Sequence, residues 1–137
     1  MNMIRICAVC AIAFACLVLS CTPSNKELDE AFAGVQALYK GFIKVLDDNK
    51  SDPAKAAVEA EKYVSGKQGE INKLADIFKK KHTEEQILLI KKFNLDLQSS
   101  FTNDSMPLKS FYEKNKDVLE KINAQIQKLR TAHQVKE

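Results

Sequence analysis

The chain has 137 residues, with 21 Lys and Arg against 18 Asp and Glu and a formal net charge of +3. That near-balance excludes the strongly basic surface of a nucleic-acid binder, and the length suits one domain with a core of its own. Gly and Pro are scarce and Trp is absent, while Leu, Ile, Ala, Lys, Glu and Gln dominate, the composition of a helical protein.

Met1 to Arg5 carries a single charge, and Ile6 to Leu19 carries none. Those fourteen apolar residues rise about 21 Å as a helix, too short for a permanent span and suited to a cleaved signal. The segment closes on Leu17-Val18-Leu19-Ser20-Cys21. This run resembles the lipobox of bacterial lipoproteins. The resemblance implies a signal peptide at 1–20 that is removed, a palmitate-type acylation of the Cys21 thiol, a lipidated tether at 21–24 and a single domain at 25–137. Cys7, Cys10 and Cys16 would leave with the signal, so the mature chain would hold no free thiol and no disulfide. Loss of Arg5 with the signal leaves a net charge of +2. Thr22 stands where an aspartate would favour inner-membrane retention. The expected address is therefore the bacterial envelope, on the outer membrane facing the periplasm, with surface exposure left open.

Four helical segments follow. In the first, Asn25 to Asn49, the positions Leu28, Phe32, Val35, Tyr39, Phe42 and Leu46 step by four and three, the seam of a bundle helix. Ser51 or Asp52 is placed to cap the second, which runs from Pro53 to about Lys81 with Ala60, Val64, Ile71, Leu74 and Phe78 inside. Gly66 and Gly69 predict a kink or break there. Thr83-Glu84-Glu85-Gln86 reads as a capping box opening the third. Its buried candidates are Ile87, Ile90, Leu97 and Phe101, with Leu88, Phe93 and Leu95 widening the face. Thr102 to Ser105 predicts a turn, with a fourth segment from Met106 to Ala132 on the stripe Leu108, Phe111, Val118, Ile122, Ile126 and Leu129. Lys67 and Asn115 interrupt their stripes, where a polar residue sets register or a Lys stem snorkels.

The fold class is all-α. Short connections favour antiparallel neighbours, hence an up-down-up-down four-helix bundle after the cleaved signal helix. A three-helix bundle with a broken second helix is the runner-up.

The short tether, at most about 11 Å over three residues, would hold the bundle near the bilayer. Alternation then brings Lys79, Lys80 and Lys81 to the same end as Lys128 and Arg130. Such a collar would face anionic headgroups; the same residues also complement helix C-termini. Gly34, Ala37 and Gly41 form a small-residue line, read as a ligand groove or as close packing against Ala56, Ala57 and Ala60. Ala132-His133-Gln134 resembles the end of the last helix in periplasmic four-helix cytochromes b, which implies His133 as a haem ligand. The first helix lacks the Met that family uses. His82-Thr83-Glu84-Glu85-Gln86 resembles the Leu-Thr-x-x-Gln motif of helical periplasmic stress chaperones, with His82 in place of Leu. No phosphate loop, nucleophile motif or metal-ligand cluster appears, so no catalytic residue, metal site or cofactor is expected. The expected role is a non-enzymatic interaction or structural module near the membrane. Its partners would be membrane lipid through acylated Cys21 and an envelope protein, with no nucleic acid. The alternatives are a carrier of a hydrophobic ligand or haem, and a helical chaperone or inhibitor.

Overall fold

A computed structural model describes residues 22–135; the expected signal peptide at 1–20 and the expected acylation site Cys21 lie outside the described residues. The described residues are all-α, with five α-helices and one closing 3-10 turn, and no strand among them.

Helix α1 spans Asn25–Asp48. The Ser24 hydroxyl accepts from the Glu27 amide at 3.1 Å, and the Glu27 carboxylate suits the positive end of the helix dipole. Its buried face is Leu28, Ala31, Val35, Leu38, Tyr39, Phe42 and Leu46. That is the predicted seam, joined by Ala31 and Leu38, while Phe32 is half-buried.

The predicted second segment is two helices, α2 at Pro53–Gly66 and α3 at Gln68–Phe78. Asp52 is the cap, its carboxylate accepting from the Lys55 amide at 3.1 Å. The break falls on Lys67, whose φ is −96° and ψ 2°. Neither Gly66 nor Gly69 has a neighbour that a Cβ would meet, so these glycines weaken the helix rather than make room. Lys67 reaches Glu70 at 2.8 Å, so it serves the break and not a buried seam.

Helix α4 runs unbroken from Glu84 to Tyr112. Both capping-box bonds form: the Gln86 amide donates to Thr83 Oγ1 at 3.2 Å, and the Thr83 amide to Gln86 Oε1 at 3.1 Å. The turn expected at Thr102 to Ser105 is absent, and the helix passes through Pro107. Two anchors beyond the proline explain this. Leu108 and Tyr112 are buried, and the Tyr112 hydroxyl donates to the Leu46 carbonyl at 2.6 Å. Burying two such side chains outweighs about 3 kcal/mol of proline penalty. The last turn moves downstream, and Asn115 is its cap rather than a register residue, accepting from the Val118 amide at 3.2 Å. Helix α5 is therefore Lys116–Arg130, followed by the 3-10 turn Thr131–His133.

The direction of the chain alternates, but consecutive elements are not always neighbours. Gln86 Nε2 donates to the Pro23 carbonyl at 2.9 Å, so α1 and α4 begin together; Tyr112 and Leu46 bring their far ends together. These two helices are parallel and pack side by side. Helix α5 packs chiefly on α2, which also starts at the far end, and the 3-10 turn packs on α3. The expectation of antiparallel neighbours holds for α1 and α2 and fails for these pairs. Phe42 and Phe78 are among the fully buried side chains, and Phe32 stacks on Phe93 with centroids 4.2 Å apart. No helix among the described residues is long and apolar enough to cross a membrane.

Candidate functional site: the groove between α4 and α5

Because α5 leans on α2 and α4 leans on α1, the two approach each other sparsely. A groove of about 1230 Å³ lies between them. On the α4 side it is lined by Ile87, Ile90, Leu97, Phe101 and Leu108, and on the α5 side by Leu119, Ile122 and Ile126. Amides and cations complete the lining, among them Asn94, Gln98, Lys91, Lys109 and Arg130.

Three elements meet at the groove through His133. The Tyr39 hydroxyl lies 3.0 Å from His133 Nε2, and His133 Nδ1 lies 2.9 Å from Asn94 Oδ1. An amide oxygen only accepts, so Nδ1 carries the proton and Nε2 accepts from the tyrosine hydroxyl. Burial, aided by the Arg130 charge, drops the imidazole to about 4, and burial pushes Tyr39 up to about 12 against the opposing effect of Arg130. Both groups are neutral at pH 7, and both ring nitrogens of His133 are hydrogen-bonded, one to Tyr39 and one to Asn94. Tyr39 also meets Phe101 edge-on at 5.1 Å.

This arrangement bears on the haem resemblance. Both ring nitrogens of His133 are engaged, so iron would have to displace Tyr39 or Asn94. Met106 is an exposed residue of α4. The described residues around His133 do not fit an axial ligand set, and they bring together no group of three His, Cys, Asp or Glu.

The small-residue line does not stand open. A Cβ on Gly34 would press on the Leu74 side chain, and one on Gly41 would clash with the Tyr63 ring and hydroxyl. Tyr63 uses that space to donate to the Leu38 carbonyl at 3.0 Å. Ala37 is exposed. The close approach is to Tyr63 and Leu74, not to the three alanines named from sequence.

The five cations of the expected collar occupy two levels. Lys80 pairs with Glu27 at 2.7 Å, beside the tether, with Lys79 and Lys81 exposed next to it. His133, three residues beyond Arg130, meets Tyr39, which lies twelve residues further along α1, about 18 Å up the axis. The long α4 leaves α5 too short to return to the tether end, so Lys128 and Arg130 stay apart from Lys79 to Lys81.

Leu88 and Leu95 do not widen the buried face of α4. Both are 67% exposed and Met106 is 59% exposed. Their spacings of seven and eleven residues return to one side of the helix within about 20°, opposite Ile90, Leu97 and Leu108. Sequence reading also missed Asn94, whose signal was its place between Ile90 and Leu97, a polar residue in an apolar row. His82 bonds the Phe78 carbonyl through Nε2 at 3.1 Å and serves the α3–α4 turn.

No family model, no curated protein and no solved structure matches this chain.

Proposed function

We propose that the chain is a lipoprotein of the bacterial envelope, acylated at Cys21, acting as a non-enzymatic binding module near the membrane. In this reading its helices form a bundle of four arms, α2 and α3 being one broken arm. The groove between α4 and α5 takes an apolar guest. The observation that carries this is the groove itself, long, lined by apolar rows from two helices and floored by a hydrogen-bonded network with no buried charge. The buried Pro23, gripped by Gln86, supports a body held close to its anchor.

Metabolic labelling with a clickable palmitate tests the anchor. Label on the wild type and none on Cys21→Ser is expected; equal incorporation in both, or none in either, rejects it. Organic extraction of the protein purified from envelopes tests the groove. A stoichiometric apolar compound in the extract is expected, and its loss in Ile126→Glu ties it to α5.

The exposed row Leu88, Leu95 and Met106 favours a second reading, in which the outer face of α4 meets an envelope protein. Crosslinking in intact cells separates the two readings. A partner captured from the Leu95 position, lost in Leu88→Gln/Leu95→Gln, favours the outer face.

A further inference from the structure

We infer that the groove between α4 and α5 binds a long-chain carboxylate, its tail along Leu97, Phe101, Ile122 and Ile126 and its head at Arg130 and Lys91. This rests on the groove reading above and adds the class of guest.

The charges of the lining carry the inference. Lys91, Lys109 and Arg130 line the groove, and no Asp or Glu does. Lys109 lies 3.2 Å from Glu113, whereas Lys91 and Arg130 have no ion pair among the described residues. A concave apolar surface with uncompensated cations at its margin matches an amphiphile of opposite charge. The planar guanidinium gives a carboxylate two parallel N–H bonds in a fixed geometry, whereas an ammonium acts as a point charge.

The field at the floor agrees. The Arg130 charge pushes both Tyr39 and His133 downward, so it is felt inside the groove as well as at its edge. The floor places no other charge against a tail. Tyr39 and both ring nitrogens of His133 are paired, and the tail keeps to the apolar row of Leu97, Phe101, Ile122 and Ile126, with the amides Asn94, Gln98, Asn123 and Gln127 beside it.

The dimensions agree as well. From Ile87 to Tyr112 the α4 lining spans 25 helical steps, about 38 Å of helix. A lipid chain fills half of a bilayer core of about 30 Å, so a single tail fits lengthwise with space for its head.

A chain beginning at residue 22 retains every contact described above and serves for the test. It is titrated by calorimetry with laurate and with dodecyltrimethylammonium, equal tails of opposite charge, each below its micelle concentration. One laurate per chain is expected, bound at least about tenfold more tightly than the cation, with Arg130→Gln removing about tenfold of the laurate affinity. Lys91→Gln should remove less. Arg130 is exposed, so helical circular dichroism should not change. If the two amphiphiles bind alike and Arg130→Gln alters neither, the groove reading survives and the carboxylate assignment is overturned. If neither binds, both fall. If phosphatidylglycerol vesicles bind through Arg130 while laurate does not, the cations serve a flat membrane surface and the pocket assignment is wrong.

Discussion

The two flanks of α1 are built differently. Towards α2 and α3 the packing is closed: Gly34 and Gly41 admit Leu74 and Tyr63, and Ala56, Ala60 and Val64 are fully buried. Towards α4 the chain is held at both ends, by Gln86 on Pro23 and by Tyr112 on Leu46, and beyond α4 the groove stays open to α5. The closed flank is made of small and apolar residues at seam positions. The open one carries amides at the same periodic positions, Asn94 on α4 and Asn123 on α5 among them. Small residues bring backbones together, whereas amides keep one side of a cleft wet and leave a concave surface for a guest.

Core truncation gives the largest expected contrast. Phe42→Ala should cost about 3–5 kcal/mol, because Phe42 is completely buried and its loss leaves a cavity. Ile126→Ala, on the groove, should cost about 1 kcal/mol, since that side chain is only half-buried. Urea unfolding monitored by circular dichroism checks both. Equal losses would mean that the groove flank is as closed as the other.

Acid should act through the open flank. The folded His133 titrates near 4 and an unfolded one near 6.5, so the unfolded chain binds the proton first. The stability His133 contributes as a neutral group is intact above about pH 6.5 and falls as pH drops towards 4, by up to about 3 kcal/mol. Melting temperatures at pH 7 and pH 4.5 should diverge in the wild type and much less in His133→Gln. An undiminished divergence in the variant would place the acid sensitivity elsewhere.

Gly41→Ala probes the closed flank more finely. The added methyl meets Tyr63, so a net loss of about 1–2 kcal/mol is expected despite the better helix propensity of alanine. Pairing it with Tyr63→Phe should reveal coupling, since both changes act on the Tyr63–Leu38 bond. The smallest effect is expected at Leu95→Gln, within about 0.5 kcal/mol, because the residue is exposed. A larger loss in the same unfolding assay would show that the outer face of α4 is covered in solution.

Local signals were the readable part of the fold. Asp52 and the Thr83–Gln86 pair cap as their side chains dictate, since a cap bonds within three residues and needs no distant partner. The seams of α1 and α3 were readable because their apolar spacing fits one face only. Leu88 and Leu95 were misplaced because α4 carries apolar residues on two opposite faces, and periodicity does not say which one is buried. The candidate site was less visible. His133 was noticed for iron and Arg130 for lipid headgroups, yet the bond of His133 to Tyr39 joins residues 94 positions apart.

The amino-acid sequence alone determined the all-helical character, most of the helix starts and the apolar rows, because capping and periodicity act within a turn or two of chain. Only the tertiary structure decided that α4 continues through Pro107, and that α4 lies beside α1 while α5 lies beside α2. Those outcomes depend on long-range burial and on single contacts such as Tyr112 to Leu46, which override local turn preference by a few kcal/mol. The groove follows from that choice of neighbours, and no window of sequence contains it.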